Sequence, residues 1–378
     1  MTTPTPLRAI LVDVAPGQLD PDELADRMAE LESLSMTYGS LVVVHRVQRR
    51  DTPDYSTFVG KGKLDELVGL GAEMKVDLLI FGNQLKPSQI FNVQEVLRKA
   101  KSKMQAWDRL DLILKIFQLH ADSPESRLQI RLAAIKHMGP RIFNMGIELD
   151  RQGGGVGTSG IGETNLEIMR RHLKEEERMI RSRLADCART RGQHRAHRAR
   201  QGLKTVGVVG YTNVGKSTLM NALTGKGVLA ADMLFATLGT RVGKMKWDSY
   251  VDEEGNFLKR PDVLVNDTVG FIRDLPPELV EAFASTLEDS VESDLLLHVV
   301  DGSDPRLEEK IAVVDGILAQ IKAVQPRLFV FNKSDRLTSA ARKALAKKYS
   351  KIKPLFVSAV SSDGLGALKD RVSKTLAK

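Results

Sequence analysis

Apolar and polar residues along the first hundred positions follow strand-like and helix-like patterns in turn. Short apolar runs at 9–14, 41–44 and 76–81 predict buried strands of a parallel sheet. Apolar residues recur at helical spacing over 22–38 and 61–74, and Pro87 suits the first turn of a helix that reaches residue 101. The pattern predicts a small α/β domain over residues 1–105.

Two longer helical patterns follow in the segment 106–203, which we predict to be a basic helical arm with a glycine-rich loop. Steps of three, four and seven residues place the apolar side chains of each pattern on one face, so the two helices are expected to pair as an antiparallel hairpin. The loop between them, 153–162, has six glycines in ten residues. It follows no clear strand and has no lysine after its glycines, so it is interpreted as a linker or a tip that orders on a partner. The apolar positions are Leu110, Ile113, Phe117, Leu128, Leu132 and Ile135 in the first pattern, and Leu166, Met169, Leu173, Ile180, Leu184 and Cys187 in the second.

From residue 204 to residue 378 the chain returns to a strand–loop–helix pattern, which predicts a third segment built on a mostly parallel sheet with helices on both faces. The predicted fold class is therefore α/β throughout: an N-terminal α/β domain, a long helical hairpin arm, and a nucleotide-binding domain at 204–378.

Charge is concentrated in one part of the arm. The net charge is +8, and the stretch from Glu167 to Lys204 holds twelve Lys and Arg against five Asp and Glu, an excess of seven. Such a stretch favours an acidic partner, nucleic acid before a membrane surface, although a solvated helix face is the alternative.

Cysteine content and hydrophobicity indicate the cellular compartment in which the protein is expected. The chain has one cysteine, Cys187, so an internal disulfide is excluded and a reducing compartment is expected. No run approaches the ~18 apolar residues of a spanning helix, and the N-terminus lacks the pattern of a signal peptide. We expect a cytoplasmic monomer that touches membranes at most peripherally.

A short β-branched strand at 206–209 runs into a glycine-containing loop and then a helical pattern. This is G-x-x-x-x-G-K-S in the strand–turn–helix setting that it requires. Its backbone N–H groups converge on phosphates, and the helix N-terminus adds partial positive charge. We expect Lys216 to reach the β- and γ-phosphates and Ser217 to bind Mg²⁺. The predicted phosphate-binding residues are Gly210, Tyr211, Thr212, Asn213, Val214, Gly215, Lys216, Ser217 and Thr218.

Another element of the nucleotide site follows the strand predicted at 262–266. It reads Asp267, Thr268, Val269 and Gly270. Asp267 is expected to hold Mg²⁺, and the Gly270 N–H to sense the γ-phosphate.

The base is predicted to be guanine. The strand predicted at 328–331 ends in Asn332, Lys333, Ser334 and Asp335. The Asp335 carboxylate would accept two hydrogen bonds from the guanine edge, where adenine presents a repulsive acceptor, so GTP is expected over ATP by a factor of about 10⁴ or more. A later strand then presents Val357, Ser358 and Ala359 to the base.

A segment between these elements is predicted to close a threonine onto Mg²⁺. Thr237 is favoured, and a plain surface loop is the alternative interpretation. The predicted catalytic residues are thus Lys216, Thr237 and Gly270, and the predicted metal ligands are Ser217, Thr237 and Asp267. The neighbouring nucleotide contacts are Phe235, Ala236, Thr237, Leu238 and Gly239.

The sequence lacks one group that small GTPases use to hydrolyse GTP. Small GTPases orient the attacking water with a glutamine directly after Asp-x-x-Gly, and here that residue is Phe271. We therefore expect slow hydrolysis by the isolated protein and a partner that supplies positioning or charge.

These residues together resemble the HflX-type ribosome-associated GTPases of the Obg–HflX group. The resemblance rests on 210–224, on 267–276 with an apolar residue at Phe271, and on segments of the N-terminal half. Those segments are Val59-Gly60-Lys61-Gly62-Lys63, Leu85-Lys86-Pro87-Ser88-Gln89, 153–158 and Gly162-Glu163-Thr164.

The resemblance implies a GTPase that binds the large ribosomal subunit and, with GTP, separates stalled or idle ribosomes into subunits. It also implies that the arm and glycine-rich loop contact ribosomal RNA. The sequence departs from the family at Gly82-Asn83-Gln84, where acidic residues are usual, and in the loop after Leu238, which is two residues shorter. Because this loop is shorter, Thr240 is an alternative to Thr237 as the threonine that closes onto Mg²⁺.

Two other functions fit the motifs. One is a GTP-dependent switch that acts on a protein or membrane partner, with the basic arm solvated. The other is an RNA-binding protein that uses GTP only as a conformational ligand. The salt dependence of ribosome binding distinguishes the first of these from a ribosome-dependent GTPase. A GTP turnover assay distinguishes the second.

Overall fold

The computed structural model describes residues 6–121, 123–137, 159–225, 241–247, 261–267, 270–275, 279 and 293–377. The chain divides into two compact units, Met1–Leu119 with Ile130–Ser182 and His120–Gln129 with Arg183–Lys378. The arm segment predicted at 106–203 is thus shared between both units, and the three-segment division stays a prediction.

The first unit contains a parallel sheet with the strand order β2-β1-β3-β4. Its first strand carries apolar residues at every position except Arg8 and Asp13, as expected for a strand covered on both faces. The strands are β1 Arg8–Ala15, β2 Leu41–Arg49, β3 Leu78–Phe81 and β4 Gln105–Trp107.

Helices cover this sheet in the order in which the sequence pattern predicts them. Ile10, Val12 and Val14 pack in one apolar cluster with residues of α2 and α3, while Asp13 forms an ion pair with Arg27 of α1. Because successive side chains of a strand point to opposite faces, α1 covers one face and α2 and α3 the other. The helices are α1 Pro21–Tyr38, α2 Lys61–Glu73 and α3 Pro87–Lys99.

The arm helices are α4 Arg109–His120, α5 at 124–137 and α6 Ser159–Arg200. Asp108 and Asp111 cap α4 reciprocally, since each backbone N–H donates to the other carboxylate. Arg131 of α5 forms two hydrogen bonds with Glu176 of α6 in the first unit, and Glu125 pairs with Arg191 in the second. These contacts support the predicted pairing of the two helical patterns. No helix in the described ranges has the length and apolar character to cross a bilayer.

The second unit is built on a sheet with the order β10-β9-β8-β5-β7-β6, in which β6 alone among the described strands is antiparallel. Together with the first unit, it confirms the predicted α/β class. Its strands are β5 Lys204–Gly210, β6 Arg241–Lys244, β7 Val263–Asp267, β8 Leu295–Asp301, β9 Arg327–Asn332 and β10 Leu355–Phe356. Its helices are α7 Lys216–Thr224, α8 Leu307–Gln320, a 3-10 turn Ser334–Arg336, α9 Ser339–Lys348 and α10 Leu365–Leu376.

Candidate nucleotide-binding site

Those predicted site residues that the structure describes lie at one edge of the second sheet. β5, β7 and β9 run parallel and end at Gly210, Asp267 and Asn332. Because the carboxyl ends of parallel strands meet at the same edge, the three motifs come together there, where α/β proteins bind ligands.

The loop from β5 to α7 requires glycine at two positions. Gly215 has φ +88°, and a Cβ atom there would stand 2.4 Å from Nδ2 of Asn332. Gly210 has φ +155°, and its Cβ would meet the Val299 carbonyl oxygen at 2.3 Å. A side chain at either position would therefore displace the backbone of the loop.

Lys216 lies under this loop with its amine turned back towards it. Nζ donates a hydrogen bond of 2.7 Å to the carbonyl oxygen of Tyr211. Burial lowers the pKa of this amine to about 8, and the charge of Asp267 opposes that shift. A phosphate group in the loop would restore the favourable environment of the ammonium form.

Ser217 and Asp267, two of the predicted Mg²⁺ ligands, are in direct contact. The Ser217 hydroxyl donates to Oδ2 of Asp267 at 2.8 Å, and Asp267 is fully buried. Carboxylate and hydroxyl oxygens are the donors that Mg²⁺ prefers. These two residues fit the ion.

The segment that begins with Gly270 is fastened to the phosphate loop by backbone hydrogen bonds. Thr212 N–H donates to the Phe271 carbonyl oxygen at 2.7 Å, and Phe271 N–H donates to Gly210 at 3.1 Å. Arg273 N–H donates to the Tyr211 hydroxyl at 2.8 Å. Phe271 itself is 1% exposed, so its ring is part of the core.

Asn332 joins the phosphate loop to the loop after β10. Its Nδ2 donates to the Val214 carbonyl oxygen at 2.8 Å, and its Oδ1 accepts from Ala359 N–H at 3.0 Å. Ser334 N–H donates to the carbonyl oxygen of Val357, which brings together the two segments that are predicted to contact the base.

Lys333 and Asp335, which follow Asn332 in the chain, differ in their contacts and exposure. Lys333 donates to the Asn213 carbonyl oxygen at 2.8 Å and forms an ion pair of 2.7 Å with Asp301. Burial raises the pKa of Asp301, but the hydrogen bonds from Lys333 and Ser303 outweigh it and the pKa is lowered. The side chain of Asp335 is exposed in the 3-10 turn.

Asp301, which pairs with Lys333, does not belong to any of the sequence motifs. Its signal was present, because it is an acidic residue at the end of the apolar strand β8, as Asp267 is at the end of β7. Eight positions that were predicted for the nucleotide site lie outside the described residues and stay predictions: Phe235, Ala236, Thr237, Leu238, Gly239, Thr240, Thr268 and Val269.

Comparison with known families gives matches along most of the chain. Three family models match it: "GTP-binding GTPase N-terminal" at 25–118, "GTP-binding GTPase Middle Region" at 120–198, and "50S ribosome-binding GTPase" at 205–333.

Relatives extend these matches to nearly the full length. GTPase HflX of Caldanaerobacter subterraneus is 38% identical over 98% of this chain and 81% of its own, and GTPase HflX of Alkalihalophilus pseudofirmus is 39% identical over 94% and 79%. A crystal structure of SsGBP with GDP shares the fold, with a TM-score of 0.55 and 24% identity over 98% of this chain and 100% of that one.

Fold, phosphate loop and family matches define a P-loop GTPase, an enzyme that hydrolyses GTP. Within that class, the chain belongs to the HflX family of GTPases.

Proposed function

We propose that this protein binds the large ribosomal subunit and uses GTP binding and hydrolysis to split stalled or idle ribosomes into subunits. Membership of the HflX family supports this, as does the description of the family model over 205–333 as a 50S ribosome-binding GTPase. We also propose that the protein acts in the cytoplasm and as a monomer.

The observation that carries the proposal is the basic C-terminal half of α6, where residues 181–200 hold seven arginines and one acidic residue, Asp186. Arg183 and Arg200 are exposed there. Within the described part of the chain neither of them forms an ion pair, so their charges are available to the phosphates of RNA.

In the proposed nucleotide complex, residues 210–218 hold the phosphates, and Lys216 neutralises charge on the β- and γ-phosphates. Ser217 and Asp267 hold Mg²⁺ together with Thr237, and the ion stabilises the charge that develops during hydrolysis. Asp335 reads the guanine edge, while Val357, Ser358 and Ala359 line the base. The Gly270 N–H senses the γ-phosphate.

We also propose that the ribosome completes the catalytic site. Phe271 is buried where a water-orienting glutamine would stand, and it cannot position water. Hydrolysis is therefore slow until the ribosome supplies positioning or charge, and it then releases the loops that GTP had ordered.

The test is the GTP turnover rate with and without purified large subunits. We expect a stimulation of at least about tenfold, and more with a complete ribosomal contact, since one transition-state charge contact is worth that much or more. A rate that does not respond to subunits although the protein binds them would contradict the proposed activation. A second readout, sedimentation of intact ribosomes with the protein and GTP, tests the splitting.

A matched pair of variants tests the arm. Reversing Arg195, Arg198 and Arg200 to Glu should abolish most of the stimulation and leave GTP affinity unchanged, because none of the three is among the predicted nucleotide contacts. Reversing Lys343, Lys347 and Lys351, an exposed set on and after α9, is the control and should change neither. Equal loss in both variants would show a non-specific charge effect.

A further inference from the structure

Two segments that carry the family resemblance have no part in the nucleotide site. These are 59–63 and 85–89, and the structure brings both to the carboxyl edge of the parallel sheet in the first unit, after β2 and β3. They meet at the loop of residues 50–60, here called the Tyr55 loop. Gln89 Nε2 donates to the carbonyl oxygens of Asp54 at 2.9 Å and Tyr55 at 3.3 Å.

The Tyr55 loop is held by its own hydrogen bonds as well. Asp54 and Phe58 exchange two backbone hydrogen bonds of 2.9 and 3.0 Å. Asn92 Nδ2 donates to the Ser56 carbonyl oxygen at 2.9 Å, and Val59 anchors the end of the loop in the core. The tip of the loop is therefore fixed before any partner arrives, which reduces the entropy lost on binding.

This fixed loop presents one aromatic ring to solvent. Tyr55 is 89% exposed, and the Lys86 ammonium lies 5.8 Å from its ring centroid. Lys61, the first residue of α2, is also exposed, and neither lysine forms an ion pair with any residue in the described ranges. We name Tyr55, Lys61 and Lys86 the Tyr55 surface.

We propose that the Tyr55 surface binds RNA, with the Tyr55 ring stacked on an unpaired base and the two lysines beside the adjoining phosphates. Aromatic rings flanked by cations bind single-stranded nucleotides in this way. The inference rests on the proposed ribosomal partner and specifies a contact by the first unit, separate from the basic C-terminal half of α6.

The chemistry favours RNA over a protein partner. Among the described residues of the Tyr55 loop and of 61–63 and 85–89, Tyr55 is the one large apolar side chain that is exposed. A protein interface needs a continuous apolar patch, whereas one ring matches one base. The uncompensated ammonium groups match phosphates.

The test measures the affinity of the full chain, loaded with a non-hydrolysable GTP analogue, for purified large ribosomal subunits. Tyr55→Ala should weaken binding by about fivefold to a hundredfold, the usual effect of losing one base–aromatic stack. Tyr55→Phe keeps the ring and should bind within about twofold of the unaltered protein. Because Tyr55 is almost fully exposed, neither change should affect folding.

Control variants distinguish an effect of the Tyr55 surface from a general effect of removing an exposed side chain. Met36→Ala removes another exposed side chain, on α1 of the same unit, and Lys99→Gln removes a lysine at the opposite end of α3 from Lys86. Both should bind as the unaltered protein does. Lys86→Gln should bind more weakly, with a slope of log affinity against log salt that is shallower by about one.

Three results would contradict the inference or its premise in distinguishable ways. If the unaltered protein does not bind large subunits, the proposed function itself fails. If it binds and Tyr55→Ala binds equally well, the Tyr55 surface is not a contact. A photo-crosslinking amino acid at position 55 should crosslink to ribosomal RNA, and a crosslink confined to a ribosomal protein would overturn RNA as the occupant.

Discussion

At the scale of single residues, Lys216 has the most informative environment. Its amine is buried and has a pKa of about 8, although its charge is needed when the phosphates bind. Above pH 8 the free protein increasingly holds the neutral amine, and GTP binding must then take up a proton.

We therefore expect GTP affinity to fall as pH rises through about 8, by up to about tenfold for each further pH unit. Below that pH the lysine is already charged, so affinity should be nearly constant. Calorimetric titration from about pH 7 to about pH 9 checks this and should show proton uptake on the alkaline side. Lys216→Ala is the control for the nucleotide's own ionisations. An affinity that stays flat in the unaltered protein would show that the lysine does not titrate in this range.

At the scale of elements, the order of strands and helices follows from the sequence, while several boundaries do not. β2 was predicted at 41–44 and extends over Leu41–Arg49. It lies at the edge of the sheet, where polar residues such as Arg46 and Gln48 are tolerated, so its second half lacks an apolar signal. β4 was missed because three residues give no periodicity.

α3 ends before its predicted limit for a local reason. It was expected to reach 101 and ends at Lys99, where Lys101 takes φ +53° and Ser102 N–H donates to the Leu97 carbonyl oxygen. A left-handed residue at that position usually is glycine. Without glycine, the sequence contains no clear sign of the helix end.

In the site, motif positions were predictable but the contacts between motifs were not. Spacing indicates that Asn332 belongs to the base-reading element. Its hydrogen bonds to Val214 and Ala359 cross 118 and 27 residues, and only the fold brings these groups together. The ion pair of Lys333 with Asp301 was missed for the same reason.

The connection between the phosphate loop and the 270–273 segment leads to a prediction about Phe271. Since its ring is buried, Phe271→Gln should place an amide in the core rather than beside the γ-phosphate. We expect a loss of about 2–4 kcal/mol in the free energy of unfolding and no gain in the isolated GTPase rate. Denaturant unfolding and a turnover assay check the two parts.

Phe271→Leu is the matched control, because it keeps an apolar side chain and should cost less stability. A glutamine variant that hydrolyses GTP several times faster at nearly unchanged stability would contradict this account. Such a result would mean that the segment rotates its side chain towards the nucleotide.

At the scale of the whole molecule, one chain combines a GTP-binding unit with a basic arm and a second candidate RNA contact. α6 links them in sequence, because Ser159–Arg200 contributes residues to both compact units. The proposed ribosomal function depends on this combination, and GTP hydrolysis supplies its energy.

The most direct test of the account is therefore a titration of the purified protein with GDP and with ADP, for the unaltered chain and for Asp335→Asn. The account predicts that the unaltered protein binds GDP more tightly by a factor of about 10⁴ or more, and that Asp335→Asn shifts preference towards a xanthine nucleotide. Equal affinity for GDP and ADP in the unaltered protein would contradict it.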